Sequence, residues 1–332
     1  MSSKILITRP IFPDVIARCR EYFEVEVNEG ARYTPGQLRA ALEDKDGVLL
    51  AGGEKITAAT LEGLTRLKAI CVSAAGFNNL DIAAITKAGI IATNSPGPAD
   101  ETVADYTWGL MIATARRIAE GDRWVRAGSW KGSAGSSFFG ANLCDKTLGI
   151  IGMGRIGQAI ARRAVGFRMK VLYYNRRPLD KTTEEECRAT YTSKEALLAL
   201  ADFVVLALPL NADNYHIIGE EQLALMRNTA MLFNIARGGL IDEPALARAL
   251  REHRIAGAGL DVFEGEPGVH SGLQGLPNIV MTPHIAGGTW EAQHGLAMLA
   301  AENLIAALGL GPNAGAPPTI INPEVLPDHR IL

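Results

Sequence analysis

One glycine-rich segment limits the fold of this chain more than any other feature. Gly152, Gly154 and Gly157 follow the apolar run at residues 147–151 and precede apolar residues at helical spacing. Between a strand and a helix, glycines at this spacing allow a tight turn, let a phosphate approach the backbone, and let the helix pack on the strand. The segment predicts a parallel α/β sheet of the dinucleotide-binding kind. The N–H groups at the helix start would hold the anion, namely those of Arg155 and Ile156.

Strand-like and helix-like patterns alternate on both sides of this segment. Short apolar runs predict five strands before it, at residues 4–8, 25–27, 47–51, 69–72 and 90–93. Six more are predicted from the segment onward, at residues 147–151, 170–174, 203–207, 230–235, 258–261 and 279–281. The alternation predicts an α/β protein with two doubly wound parallel sheets, a smaller flavodoxin-like domain and a larger Rossmann domain.

The predicted domain boundaries follow from two long helices. Pro96-Gly97-Pro98 interrupts the first alternation, and residues 101–117 then have a helical pattern that we interpret as a crossing between domains. A last helix, at residues 290–308, crosses back and leads into a proline-rich tail that we expect to be extended. The sequence therefore predicts a discontinuous substrate domain, residues 1–100 plus 286–332, and a nucleotide-binding domain, residues 101–285.

Residues 118–146 lie between these patterns and are predicted to form a dimerisation arm. Within them a segment rich in glycine and serine carries three aromatic residues, Trp130, Phe138 and Phe139. Such residues are hard to bury in a glycine-rich arm of the same subunit, so a contact with a second subunit explains them. A locally packed loop is the alternative.

Composition argues against several functional classes. The net charge is −3 and the pI about 6.1, which gives no basic field for nucleic acid. No apolar run approaches the roughly 18 residues of a membrane helix. The four cysteines are scattered and the six histidines have no metal-ligand spacing, so we expect neither disulfides nor a metal. The chain enters a strand within its first residues, which predicts no signal peptide and a cytoplasmic protein.

The end of the second strand of the larger domain indicates which dinucleotide is preferred. An NAD site usually places Asp or Glu there, to accept a hydrogen bond from the ribose 2′-hydroxyl. This chain has Asn175, Arg176 and Arg177 instead. A planar guanidinium suits a 2′-phosphate, so the sequence predicts NADP(H) in preference to NAD(H). Two solvated surface arginines are the alternative reading.

Three functional side chains follow the last strands of the larger domain: Arg237, Glu266 and His284. The carboxyl ends of parallel strands point into the ligand crevice of an open sheet. A guanidinium, a carboxylate and an imidazole beside a dinucleotide could bind a 2-oxo acid and protonate its carbonyl as hydride arrives. Each also has a purely structural reading, as a loop arginine, a surface carboxylate and a core histidine.

Four motifs make the chain resemble the D-isomer-specific 2-hydroxyacid dehydrogenase family. They are the glycine-rich segment, residues 234–242, residues 259–267 with Glu266-Pro267, and Pro283-His284-Ile285. The resemblance spans nearly the whole chain. Within the family it is greatest to NADP-dependent reductases of glyoxylate, hydroxypyruvate and 2-ketogluconate, and it implies a homodimer.

The resemblance also implies roles for individual residues. Arg237 would bind the substrate carboxylate and the reacting carbonyl oxygen, and His284 would give the alcohol its proton. Glu266 would accept a hydrogen bond from the other imidazole nitrogen and so favour the imidazolium. Asp261 would contact the nicotinamide amide. Further cofactor contacts are expected from Thr102, Leu208, Pro209, Ile235, Ala236 and Gly287, and also from Arg237 and His284, which both contact the substrate as well.

In the smaller domain, the resemblance implies that the loop at Ala75 and Gly76 holds the substrate carboxylate through backbone N–H groups. Gly52 would form another wall of the pocket. Many relatives have Val where this chain has Ala75, so we expect a pocket wide enough for a sugar acid. The sequence Ala286-Gly287-Gly288 after the histidine also departs from the common family pattern and bears on substrate preference.

A different functional class is an NAD(P)H-sensing corepressor on the same fold, because a fold does not fix a function. The short tail and the arginines after the second strand argue against it. A formate dehydrogenase would have Gln at position 266, and the longer phosphoglycerate dehydrogenases need a further domain. Glyoxylate, hydroxypyruvate and 2-ketogluconate share the 2-oxo acid group, so the sequence leaves the choice among them open.

Overall fold

The computed structural model of the chain describes residues 3–326 and divides into two compact units. Unit 1 comprises Met1–Ala99 and Gly288–Leu332, and unit 2 comprises Asp100–Gly287. Both boundaries differ slightly from the predicted ones. The structure places Asp100, Ala286 and Gly287 in unit 2, whereas the sequence assigned these three residues to the substrate domain.

Unit 1 begins with five strands and four helices in alternation. They are β1 (Ser3–Ile7), α1 (Pro13–Arg20), β2 (Phe23–Val27), α2 (Pro35–Leu42), β3 (Gly47–Leu50), α3 (Ala58–Leu61), β4 (Ala69–Val72), α4 (Ile82–Lys87) and β5 (Ile91–Thr93). All strands are parallel, in the order β2-β1-β3-β4-β5. This is the flavodoxin-like order, as predicted.

Local sequence explains where these elements start. Thr34 caps α2 by accepting from the Gln37 N–H, while the Gln37 side chain accepts from the Thr34 N–H at 2.9 Å, and Pro35 occupies the first helical turn. β3 and β4 are buried along their whole lengths, as their continuous apolar runs require in a sheet covered on both faces.

Unit 2 contains a larger parallel sheet. Its elements are α5 (Asp100–Ala115), α6 (Ile118–Arg126), β6 (Thr147–Ile151), α7 (Arg155–Arg163), β7 (Lys170–Tyr174), α8 (Lys181–Cys187), β8 (Ala189–Tyr191), α9 (Lys194–Leu200), β9 (Phe203–Leu206), α10 (Glu220–Leu225), β10 (Met231–Asn234), α11 (Glu243–Arg251), β11 (Gly257–Leu260) and β12 (Ile279–Met281). The strand order is β12-β11-β10-β9-β6-β7-β8. The order reverses between β6 and β9, which is where an open α/β sheet binds a dinucleotide.

The larger sheet has seven strands where the sequence predicted six. The additional strand, β8, is only three residues long and pairs with β7 at the edge of the sheet. The predicted Rossmann architecture is confirmed with this addition.

The long helix predicted at residues 101–117 is shorter in the structure. α5 ends at Ala115, and Arg117 adopts a left-handed conformation with φ of 56°. A second helix, α6, then begins inside the predicted arm. It buries none of its residues in unit 2, and Ile118 and Val125 are 54% and 53% exposed.

The last helix, α12 (Trp290–Ala307), belongs to unit 1 and packs on β3 and β4. Its small residues allow a close approach, with Ala300, Ala301 and Leu304 fully buried. The tail after it is extended only in part. It makes an antiparallel bridge between Ile320 and Thr93 and a 3₁₀ turn at Pro323–Val325, and its last residues lie outside the described range.

Two further properties concern only residues 3–326. Their helices include none that is both long enough and apolar enough to cross a bilayer. Their His, Cys, Asp and Glu side chains form no group that could hold a metal ion.

Candidate active site

Three neighbouring strands of unit 2 carry the predicted functional side chains just beyond their carboxyl ends. Arg237 follows β10, Glu266 follows β11, and His284 follows β12. Because these strands are parallel and adjacent, their loops leave the sheet at the same edge. The sheet therefore brings a cation, an anion and an imidazole to one edge.

The imidazole and the carboxylate form a pair. His284 Nδ1 lies 2.8 Å from Glu266 Oε2, and the two side chains are 49% and 36% exposed. The other carboxylate oxygen, Glu266 Oε1, accepts a hydrogen bond of 2.9 Å from the Phe263 N–H of its own loop. With Nδ1–H directed at Glu266, Nε2 is the ring nitrogen available to exchange a proton with a substrate.

A fully buried carboxylate fixes the loop that carries His284. Asp261 accepts hydrogen bonds from Thr282 Oγ1 at 2.7 Å, the Ile285 N–H at 2.9 Å and the Ala286 N–H at 2.8 Å. Its backbone oxygen accepts from the His284 N–H at 2.8 Å. These bonds hold His284 in a left-handed conformation, with φ of 55°. The structure thus gives Asp261 a positioning role beneath the His284 loop, and its contact with a nicotinamide amide stays a prediction.

Arg237 lies in a loop that Asn234 braces. Asn234 Oδ1 accepts from the Ala236 N–H at 3.1 Å, and its amide donates to the Arg237 carbonyl at 2.8 Å. Burial lowers the pKa of the Arg237 guanidinium below its usual value, and the charge of Glu266 opposes this effect. The group still stays protonated at neutral pH. A partly desolvated cation interacts more strongly with an anionic ligand than one in bulk water does.

The Arg237 and Glu266 loops are packed against each other at a glycine. A Cβ atom on Gly238 would lie 1.9 Å from the backbone carbon of Phe263, so no larger residue fits there. Buried Glu243 fixes the same second loop, because it accepts from the Glu264 N–H at 2.7 Å and the His270 N–H at 3.3 Å. Sequence reasoning missed Glu243, which looks like an ordinary acidic residue at a helix start.

A cleft of about 930 Å³ lies at the carboxyl ends of β6, β7 and β9. Seven predicted cofactor residues line it: Gly152, Gly154, Asn175, Arg176, Arg177, Leu208 and Pro209. Other predicted cofactor residues lie outside its lining: Thr102, Arg155, Ile156, Gly157, Ile235, Ala236, Arg237, Asp261, His284 and Gly287.

The glycine-rich segment has the geometry that a dinucleotide requires. Gly152 has φ of 103°, and a Cβ there would lie 2.6 Å from the Ala207 backbone. A Cβ on Gly157 would lie 2.3 Å from the Gly152 carbonyl oxygen, so helix and strand are in close contact. A Cβ on Gly154 would meet no atom within 4 Å, which leaves its face open to a ligand. Asn175 holds this loop in place, because its Oδ1 accepts from the Met153 N–H at 2.7 Å.

Three cations line this cleft without an ion-pair partner in residues 3–326: Arg176, Arg177 and Lys194. One carboxylate, Asp213, is among the lining residues, so the lining carries net positive charge. Lys194 was missed in the sequence because its position depends on β8, the unpredicted strand that ends three residues earlier.

The predicted substrate residues Gly52, Ala75 and Gly76 belong to unit 1. Gly52 is closely covered, since a Cβ there would lie 2.3 Å from Glu54 Oε1 and 2.4 Å from Arg9 Cδ. The N–H groups of Ala75 and Gly76 donate no hydrogen bond to any other part of the described chain. The loop therefore has free donors at the carboxyl end of β4.

Comparison with known proteins yields consistent matches. The family model for the D-isomer specific 2-hydroxyacid dehydrogenase, NAD binding domain, matches residues 108–286. The chain is 45% identical to a glyoxylate reductase of Thermococcus onnurineus, over 98% of each protein. It is 40% identical to glyoxylate/hydroxypyruvate reductase B of Yersinia enterocolitica, over 98% of this chain and 99% of the relative. A crystal structure of an NADPH-dependent glyoxylate/hydroxypyruvate reductase from Sinorhizobium meliloti, with NADP and malonate, superposes with a TM-score of 0.86 at 28% identity and covers 100% of both chains.

Proposed function

Because this chain belongs to the D-isomer-specific 2-hydroxyacid dehydrogenase family, we propose that it reduces a small 2-oxo acid to the D-2-hydroxy acid with NADPH. Glyoxylate and hydroxypyruvate are the substrates named for its relatives, and 2-ketogluconate is a larger candidate. The observation that carries the proposal is the His284–Glu266 pair. These two residues follow the adjacent strands β12 and β11, and β11 lies next to β10, which Arg237 follows.

The proposed chemistry at the protein is a proton transfer. Arg237 binds the carboxylate and polarises the carbonyl oxygen of the substrate through its paired N–H groups. His284 donates the proton on Nε2 to that oxygen as the alcohol forms, and takes it back in the oxidative direction. Glu266 stabilises the imidazolium through Nδ1–H. The bound nicotinamide supplies the hydride.

The preference for NADPH rests on the charge of the cleft. Arg176 and Arg177 lie where an acidic residue would face the ribose of NAD(H). Lys194 adds a third cation to the same lining, from the helix that follows β8. In this proposal all three favour the 2′-phosphate, while the open face of Gly154 receives the pyrophosphate.

The proposed contribution of unit 1 is recognition through the backbone. The free N–H groups of Ala75 and Gly76 are suited to a carboxylate, which accepts hydrogen bonds from both. Gly52, the other predicted wall residue, is itself covered by Glu54 and Arg9.

The arm at residues 118–146 supports a homodimer in this proposal. α6 leaves Ile118 and Val125 exposed, and Trp130 and Phe139 are 60% and 76% exposed in the single chain. Apolar side chains grouped in this way are typical of a subunit interface. A cytoplasmic location is part of the proposal, since a reducing compartment would keep the four cysteines as thiols. The corepressor alternative is not favoured, because sensing alone would not require a paired imidazole and carboxylate.

Initial rates test the proposal directly. NADPH and NADH are each compared with glyoxylate, hydroxypyruvate, pyruvate and 2-ketogluconate as substrates. We expect turnover of glyoxylate or hydroxypyruvate with a higher kcat/KM for NADPH than for NADH. A highest kcat/KM for 2-ketogluconate would assign the enzyme to sugar acids. The absence of turnover with all four acids would contradict the proposal.

A further inference from the structure

A second histidine–carboxylate pair lies on the same loop as Glu266. Glu264 accepts a short hydrogen bond from the Tyr215 hydroxyl, and His216 Nε2 lies 3.2 Å from Glu264 Oε2. The rings of Tyr215 and His216 are stacked, with centroids 3.9 Å apart. We refer to Tyr215, His216 and Glu264 as the Glu264 cluster. Neither the reaction proposed above nor the cofactor prediction uses any of these three residues.

The Glu264 cluster holds both loops that carry charged functional side chains. The His216 N–H donates to the Gly239 carbonyl at 2.8 Å, two residues from Arg237. The Tyr215 ring also covers Gly239, where a Cβ would lie 3.3 Å from the ring. Through its side chain, His216 holds Glu264, two residues from Glu266. One residue therefore contacts the Arg237 loop with its backbone and the Glu266 loop with its imidazole.

Residue 264 is anchored at both its main chain and its side chain. Its N–H donates to the buried carboxylate of Glu243 at 2.7 Å, and its own carboxylate is held by the Glu264 cluster. The Phe263 N–H, one residue earlier, holds Glu266 Oε1 at 2.9 Å. His284 is fixed separately, by the bonds of its loop to Asp261. The distance between Glu266 and His284 therefore depends on where residues 263–264 are held.

We propose that the Glu264 cluster is a positioning device that sets the Glu266–His284 contact and so supports proton donation. This inference rests on the proposed function, because it assigns the cluster to the same reaction. Loss of the cluster would let the 263–266 loop shift while the imidazole stays in place. The carboxylate would then orient the imidazole less well, and Nε2 would be directed less closely at the substrate oxygen. Small displacements of this kind lower turnover without removing any reacting group.

The variant His216→Asn separates positioning from folding. His216 has φ of 52°, a conformation that Asn tolerates better than other residues, so the backbone is not strained by the change. The shorter amide no longer reaches the Glu264 carboxylate. His253→Asn is the matched control, since His253 has φ of 53° and precedes β11, at the opposite end of the sheet from Glu264. Tyr215→Phe removes the other donor to Glu264 and keeps the ring.

The expected result is a fall in kcat on the order of tenfold for glyoxylate with His216→Asn, and a smaller fall with Tyr215→Phe. The NADPH dissociation constant and Tm should stay close to those of the unchanged protein, as for His253→Asn. In a Glu266→Gln background, His216→Asn should have no further effect, because the cluster acts through that carboxylate.

Two outcomes would overturn the inference. One is an unchanged kcat in both His216→Asn and Tyr215→Phe. The other is a fall in kcat of the same size in the Glu266→Gln background, which would show that the cluster acts independently of Glu266. Failure of the proposed function is a separate result, since it would appear as absence of 2-oxo acid turnover in the unchanged protein.

Discussion

The two parallel sheets of this protein carry different kinds of loop at their carboxyl ends. In unit 2, buried polar side chains brace the loops: Asn234 holds the loop of Arg237, Glu243 that of Glu266, and Asp261 that of His284. In unit 1, the loop after β4 presents free N–H groups at Ala75 and Gly76, and its brace acts on a carbonyl, because the Asn94 amide donates to the Ala75 oxygen at 2.6 Å. The same architecture therefore supports two designs of strand-end loop.

The difference follows from what each edge would contribute. A proton donor must be held at hydrogen-bonding distance from its partner, which requires fixed loops and buried acceptors. A carboxylate can be held by backbone N–H groups whose direction the loop itself determines. Unit 2 would thus act through braced side chains and unit 1 through backbone N–H groups. Substitutions in each unit test this division.

The largest expected effect comes from the proposed proton donor. His284→Asn keeps a residue that tolerates the positive φ and removes the imidazole. We expect kcat for glyoxylate to fall by about 10²- to 10⁴-fold, the usual contribution of a general acid. NADPH affinity, followed by the change in its fluorescence on binding, should stay within about twofold because the cleft residues are untouched. Retained turnover would place the proton donor elsewhere and remove the chemical distinction between the two units.

The next substitution compares a buried carboxylate in each unit. In Asp261→Asn, an amide NH₂ group replaces one of the two carboxylate oxygens. It then faces a backbone N–H group that donates to Asp261 in the unchanged protein, so two donors meet. The unsatisfied donors should lower the free energy of unfolding by about 2 kcal/mol, and kcat should fall because the His284 loop is released.

Glu54→Gln is the matched change in unit 1. Glu54 is also buried, but its Oε1 has no hydrogen bond within the described chain, so an amide can replace it without losing a bond. Denaturant unfolding of both variants is the measurement. An equal loss of stability in both would contradict the idea that the loops of unit 2 are braced more tightly.

Much of the fold could be predicted from the sequence because its signals are local. The predicted first and last residues of β4, β6, β7 and β12 agree with those in the structure. β8 was missed because it is three residues long and buries only Ala189, so its pairing with β7 is its main signature. The break after Ala115 was missed because an arginine in a left-handed conformation leaves no mark in the sequence.

The residues of the candidate site also fall into a group that the sequence predicts and a group that it does not. The sequence predicts His284, Glu266 and Arg237 as functional residues because it shows directly that each reactive side chain follows a strand-like run. The residues that hold the loops in place could not be predicted in this way. Asn234, Glu243 and the Glu264 cluster form their hydrogen bonds only in the folded loops. Asp261 was selected for a cofactor contact, which stays a prediction, and the structure adds that it is buried beneath the His284 loop.

A smaller effect is expected from the cleft. Arg176→Asp should raise KM for NADPH on the order of 10- to 100-fold, because a charge-assisted hydrogen bond to phosphate is replaced by repulsion. KM for NADH should change much less. Arg188→Asp is the control. It makes the same change of charge just before β8, at the amino end of the strands and so away from the cleft. An equal effect of Arg176→Asp on both cofactors would show that the 2′-phosphate is read elsewhere.

The smallest expected effect concerns the recognition loop of unit 1. Ala75→Val adds two methyl groups next to the free N–H groups without changing any reacting side chain. If this position limits the length of the substrate, kcat/KM for 2-ketogluconate should fall about fivefold, which corresponds to about 1 kcal/mol of transition-state stabilisation. The kcat/KM for glyoxylate should change little. The two substrates measured on one protein sample control for folding and cofactor binding. Equal losses for both would mean that Val disturbs the carboxylate contact itself, and the unit 1 edge would then contribute binding strength without setting substrate size.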